Sequence, residues 1–167
     1  MPRYEIKQWR GLFSALILLL GANYSGLVLA HGDEEHQVVT KVFIGMEQPV
    51  AKVVGEFHRA IQSGDEASVK RILATDVLIY EGGNVERSLQ EYASHHMSAD
   101  MAYLKGLSVI MLEQQIQVYG NTAISMSVTK LSGVFKGKSI DSQGMETLVL
   151  NKETDGDWQI VHIHWSN

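Results

Sequence analysis

The chain has no cysteine, only two prolines, and fewer basic than acidic side chains, 14 Lys and Arg against 19 Asp and Glu. The missing cysteines remove disulfides and any thiol that could carry a lipid anchor. A chain of 167 residues can nevertheless bury roughly 70% of its unfolded surface and fold without cross-links, so their absence is compatible with an oxidising compartment. Few prolines and a hydrophobic content of 45% exclude collagen-like and disordered classes, and one domain is the starting expectation. The shortage of positive charge, a net −5, argues against nucleic acid as a partner. No internal repeat is present.

The first thirty residues differ from the rest. Arg3, Lys7 and Arg10 form a positive end, Leu12 to Leu20 is almost wholly apolar, and Val28-Leu29-Ala30 closes the segment with residues that suit signal peptidase. This is the pattern of a cleavable signal peptide over residues 1–30, cut between Ala30 and His31. Asn23, Tyr24, Ser25 and two glycines weaken the rival reading of a retained membrane anchor. The expectation is a periplasmic or secreted protein with no membrane association after cleavage and a net charge more negative than that of the whole chain. Residues 31–37 are polar and acidic without apolar periodicity and read as a flexible arm. The folded domain is expected over 38–167.

Pro49 can open a helix in which Val50, Val53, Val54, Phe57 and Ile61 recur at helical spacing until Ser63-Gly64 stops it. Asp65 can cap a second, shorter helix facing inward through Val69, Ile72 and Leu73. A strand over Val77 to Tyr80 then ends at Gly82-Gly83. Ser88 and Glu91 have capping-box spacing for a helix carrying Leu89, Tyr92, Ala93 and His96 on one side, and helical character resumes from Ala99 to Leu104. From Leu107 the pattern becomes β: Leu107 to Tyr119, Thr122 to Phe135, Ile140 to Lys152 and Trp158 to Trp165. Gly120-Asn121, Lys136-Gly137-Lys138 and Asp155-Gly156-Asp157 separate them as short hairpin turns. Helices followed by a long meander predict an α+β domain whose curved sheet buries its concave face against the helices.

This order, with Phe57-His58-Arg59-Ala60-Ile61, Gly64-Asp65, Glu146-Thr147 and the ending Trp158-Gln159-Ile160-Val161-His162-Ile163-His164-Trp165-Ser166, resembles the nuclear transport factor 2-like superfamily. Within it the chain is similar to SnoaL-like and ketosteroid isomerase-like bacterial proteins, and its last two strands resemble the association domain of calcium/calmodulin-dependent kinase II. The resemblance implies a cone-shaped, curved antiparallel sheet packed on about three N-terminal helices, a pocket at the open end, and a homodimer. It implies no single activity, because the superfamily holds isomerases, cyclases, dehydratases, epoxide hydrolases and domains without chemistry. The isomerase's tyrosine and aspartate set and the epoxide hydrolase's aspartate-arginine-aspartate set have no clear equivalent here.

A strict two-residue repeat puts Trp158, Ile160, His162 and His164 on one face of the last strand and Val161, Ile163 and Trp165 on the other. If the first face is concave, as the family pattern favours, His162 and His164 border the pocket as candidate proton-transfer groups or metal ligands, with Trp158 beside them. The competing reading makes them hydrogen-bonding groups of the sheet. His96 lies on the inward stripe of its helix, and His58 on the shoulder of the first helix, where a satisfied boundary histidine is the simpler reading. Tyr80, Glu81 and Glu86 lie at a strand end and loop, where pocket mouths are built. Glu81 or Glu86 would serve as general base, with Tyr80 or Tyr92 steadying an oxyanion. His96, His162, His164 and Glu81 form a rival metal set, and no cofactor is required by any motif. In the arm, cleavage would give His31 a free α-amine beside its imidazole, which with His36 makes a candidate copper or zinc chelator. The leading expectation is a small, largely apolar ligand in the pocket with proton-transfer chemistry of isomerase, lyase or hydrolase type. The alternative is a non-catalytic dimeric interaction module or a metal-handling module that uses the arm.

Overall fold

In the computed structural model, residues 42–166 are described. The expected signal segment 1–30 and the arm with His31 and His36 lie outside them. Eleven elements follow the chain: β1 (Phe43–Ile44), α1 (Pro49–Ser63), α2 (Glu66–Ile72), β2 (Leu73–Glu81), β3 (Asn84–Glu86), α3 (Leu89–His95), α4 (Met97–Lys105), β4 (Leu107–Tyr119), β5 (Thr122–Phe135), β6 (Lys138–Lys152) and β7 (Trp158–Ser166). The strands form one sheet in the order β1-β4-β5-β6-β7-β2-β3.

The local signals act as chemistry requires. Pro49 occupies the first turn of α1, where its missing N–H costs nothing, and Gly64 ends the helix in the left-handed conformation at φ 82°. The Asp65 side chain accepts from the Ser68 amide to cap α2. Ser88 Oγ accepts from the Glu91 amide to cap α3, while the Glu91 side chain reaches back to the Arg87 amide, one residue before the N-cap. His96 ends α3 and begins α4 with helical backbone angles but no side-chain cap. The separate helical segment expected from Ala99 to Leu104 is α4, so the described residues contain four helices where about three were expected.

The β4–β7 meander is antiparallel throughout. Two pairings are parallel, β1 with β4 and β2 with β7, so the sheet is not wholly antiparallel. The strand expected over Val77 to Tyr80 runs from Leu73 to Glu81, paired with β7 at Leu73 and again from Leu78 to Glu81 with an irregularity between. The core lies between the concave face and the helices: Val50, Val54 and Phe57 of α1 meet Leu148, Leu150, Ile160 and Ile163, all fully buried. Each such side chain contributes about 1.5–3 kcal/mol by leaving water.

A bulge in β7 decides which side chains face the core. Val149 pairs with His162, but the next residue, Leu150, pairs with Ile160, so Val161 is an extra residue. Ile160 keeps the predicted inward face. Beyond Val161 the alternation is inverted: Ile163 and Trp165 turn inward, and His162 and His164 turn outward.

Candidate functional site

Between the concave face and helices α1 and α4 lies a cavity of about 330 Å³, within the size range of small-molecule pockets. Leu104, Val109, Met111 and Leu131 supply apolar wall, and Tyr103 and Trp165 supply aromatic rings. The space arises partly from Gly144, opposite Thr129: a Cβ there would stand 3.3 Å from the threonine hydroxyl. His58, Glu81, Asp100 and Glu146 are its carboxyl and imidazole lining groups.

A single row of register partners crosses four strands at cavity level. Ser127 of β5 lies opposite Glu146 of β6, Glu146 opposite Trp165 of β7, and Trp165 opposite Glu81 of β2. Alternation makes all four point inward. Glu146 is well satisfied. Its Oε1 accepts from His58 Nε2 at 2.7 Å and more weakly from Ser127 Oγ at 3.4 Å, and its Oε2 accepts from Trp165 Nε1 at 2.8 Å. Phe57, next to His58 on α1, stacks on Trp165 with ring centroids 6.5 Å apart and planes 9° from parallel. The helix and two strands thus fix the pair from both sides.

Burial alone would push the Glu146 carboxyl up, but the charge of His58 and the three hydrogen bonds outweigh it and hold the group below its ordinary value. Burial would likewise lower His58, and Glu146's charge and hydrogen bond outweigh it and raise the imidazole. The two shifts describe one ion pair.

The other polar wall behaves oppositely. Glu81 ends β2 immediately before the Gly82-Gly83 turn, and Asp100 comes from α4. Burial, then the neighbouring Asp100 charge, raises the Glu81 carboxyl, with His96 opposing. Burial also raises Asp100, against the hydrogen bond it accepts from Tyr92 and the nearby His96. The Tyr92 hydroxyl donates to Asp100 Oδ2 at 2.9 Å, and burial followed by the Asp100 charge keeps it protonated far above its usual range.

A smaller recess beside this wall is bordered by Glu81, Glu86, Tyr92, His96 and Asp100. Glu86 is 5% exposed, and its carboxylate meets the Nδ1 atoms of His96 and, at 3.3 Å, His95. Glu86, Glu91 and His95 bring one potential ligand atom each within 4.8 Å of one another, although Glu91 already accepts from the Arg87 amide.

Several expectations need correction. His162 and His164 do not border the cavity, because the Val161 bulge turns them to the outer face. There His162 packs against Tyr80, with centroids 5.5 Å apart, so Tyr80 is also removed from the cavity. The rival metal set of His96, His162, His164 and Glu81 is consequently split between two faces of the sheet. Trp158 faces inward but packs on the core away from the cavity lining. Tyr92 is buried with its hydroxyl committed to Asp100, and Glu86 is committed to the imidazoles. Glu81 and His58 do reach the cavity. Asp100, Ser127 and Trp165 were not among the expected site residues, and Glu146 figured only in the family resemblance. Across-strand pairing unites them, and no local spacing signals that.

The comparisons with known proteins agree with this architecture. A protein of Shewanella frigidimarina NCIMB 400, provisionally named a ketosteroid isomerase, is 58% identical over 75% of this chain and all of its own, with a TM-score of 0.74. The S. rosetta calcium/calmodulin dependent protein kinase II hub is 21% identical over 70% of this chain and 92% of its own, at a TM-score of 0.61. A nuclear transport factor 2-like protein of Salmonella enterica serovar Typhimurium is 22% identical over 72% of this chain and 89% of its own, also at 0.61. No curated protein matches the sequence. The family model of the calcium/calmodulin dependent protein kinase II association domain matches residues 46–167, and the chain belongs to that family, on a nuclear transport factor 2-like fold.

Proposed function

We propose that this is an exported protein that binds a small molecule with a largely apolar body in the cavity and transfers a proton there through Glu81 and Asp100. The observation that carries the reading is the apolar-walled cavity of about 330 Å³ into which two carboxyls with raised pKa converge. Groups tuned in this direction hold and release protons nearer neutrality than ordinary acids. Glu81, when ionised, accepts a proton from the bound molecule and returns it, while Asp100 holds the molecule beside it through a hydrogen bond. The 58% identical relative, provisionally named a ketosteroid isomerase, supports proton transfer as the reaction type. The basic end, apolar run and Val28-Leu29-Ala30 support export.

Native mass spectrometry of the protein recovered from its own cell compartment is the test. It should give an N-terminus at His31 and a retained organic mass that Gly144→Val, which narrows the cavity beside Thr129, diminishes. With the retained compound as substrate, Glu81→Gln should lower turnover by about 10²-fold or more. Retention unaffected by Gly144→Val contradicts the cavity as the site, and undiminished turnover in Glu81→Gln contradicts proton transfer by that residue.

A second reading concerns assembly. On the outer sheet face Leu78 is 41%, Tyr80 43% and Met126 37% exposed, which supports self-association through that face. The hub protein among the structural relatives points the same way. Sedimentation of the wild type should give a homo-oligomer that Tyr80→Lys weakens; a monomer at all concentrations contradicts it.

A further inference from the structure

The charge of the cavity wall narrows the class of ligand. Among the described residues no Lys or Arg lines it, and the lining carries three carboxyls and one imidazole. His58 is spent on Glu146, whose two oxygens are both occupied. The remaining acids, Glu81 and Asp100, are different. Among the described residues Asp100 receives one hydrogen bond, from Tyr92 at its Oδ2, and the Glu81 carboxyl is held by none. Their surplus acceptors face a space lined elsewhere mainly by apolar and aromatic side chains, with Gln62, Ser127 and Thr129 as uncharged polar ones.

We propose that the ligand is a cation, a protonated amine on an apolar or aromatic body, with its ammonium between Glu81 and Asp100. This rests on the cavity being the binding site and goes further by fixing the charge of what enters. An ammonium is a donor without acceptors, the complement of two carboxylates that otherwise repel each other. Charge-assisted hydrogen bonds of this kind are about twice as strong as neutral ones. Tyr103 and Trp165 add π surface, which attracts cations and repels anions. Leu104, Val109, Met111 and Leu131 accept the apolar body. A carboxylate ligand would meet acidic groups and, among the described lining residues, only the His58 imidazole as a cation, already paired with Glu146.

The experiment compares three probes of similar size and different charge, 2-phenylethylamine, 2-phenylethanol and 3-phenylpropionate, titrated calorimetrically into the full-length mature protein at neutral pH. The amine should bind at least about tenfold tighter than the alcohol, with the carboxylate weakest. Glu81→Gln and Asp100→Asn, which keep side-chain shape, should each reduce that preference, and the double variant should erase it. An alcohol or carboxylate that binds as tightly as the amine, and is weakened by Gly144→Val, overturns the cation assignment while the cavity stands as the site. An amine preference that survives the double variant also overturns the assignment. Binding of all three probes undiminished by Gly144→Val overturns the cavity reading with it, as does binding of none.

Discussion

Glu146 and the pair Glu81 and Asp100 face one cavity, yet their protonation is biased in opposite directions. Glu146 is the most deeply buried of the three, and burial alone would make it the most reluctant to ionise; His58, Trp165 and Ser127 reverse that. Among the described residues Glu81 and Asp100 have no hydrogen-bonded cationic partner, and they remain raised. Partners rather than depth therefore decide which acid is structural and which is available. The satisfied wall braces the sheet against α1, and the unsatisfied wall offers acceptors to a ligand.

The strongest way to break this contrast is to remove the bracing acid. Glu146→Ala leaves His58 and the Trp165 N–H without their acceptor and should cost about 3 kcal/mol or more, as losing one partner of a buried pair does, read as a lower urea midpoint. Glu146→Gln, which preserves an acceptor for Trp165, should cost less. Equal stability in Glu146→Ala and wild type would mean that the wall is not braced by this pair.

The pH dependence sharpens the same contrast. His58 is raised in the fold, so its contribution is complete below the ordinary histidine value and is lost as pH rises through the raised one. Glu146 is lowered, so its contribution is present above the ordinary carboxylate value and is lost as pH falls through the depressed one. Urea midpoints should therefore fall on both sides of a mildly acidic plateau, and His58→Gln should flatten both flanks.

Glu81 and Asp100 should have the opposite sign from Glu146. Their raised values mean that ionisation opposes folding, so stability from these groups is present below their ordinary values and is lost as pH rises through the raised ones. Asp100→Asn should raise the urea midpoint at neutral pH and leave it little changed in acid. The gain is under about 1 kcal/mol, and smaller still for the more exposed Glu81 after solvent screening.

The smallest effect is expected from His162→Ala. On the outer face it should alter stability by about 0.5 kcal/mol or less and leave the probe affinities unchanged. A loss of binding comparable to that of Glu81→Gln would return His162 to the site.

The bulge in β7 shows where sequence reading succeeds and where it stops. The helices at Val50 to Ile61 and Leu89 to Tyr92, the hairpin turns and the four long strands follow from apolar spacing, caps and glycines, all local signals. A two-residue repeat places Trp158 and Ile160 inward and would do the same for His162 and His164, but one extra residue at Val161 inverts everything after it. Nothing in Ile160-Val161-His162 marks the bulge, because its cause is pairing with β6 and β2. The Ser127, Glu146, Trp165 and Glu81 row is equally non-local, assembled from four strands whose register the chain sets only on folding. Glu81 was legible as a candidate because it ends a strand beside a glycine turn. Asp100 was not, since one aspartate in a helix has no spacing that reveals which wall it will face.

The most direct test of two differently charged walls is carbon-13 NMR titration of the Asp and Glu side-chain carboxyls in the folded, ligand-free protein, assigned with Glu146→Gln, Glu81→Gln and Asp100→Asn. The account predicts that Glu146 titrates below the ordinary carboxylate range and that Glu81 and Asp100 titrate above it. Glu146 titrating together with the other two, or above them, would contradict it.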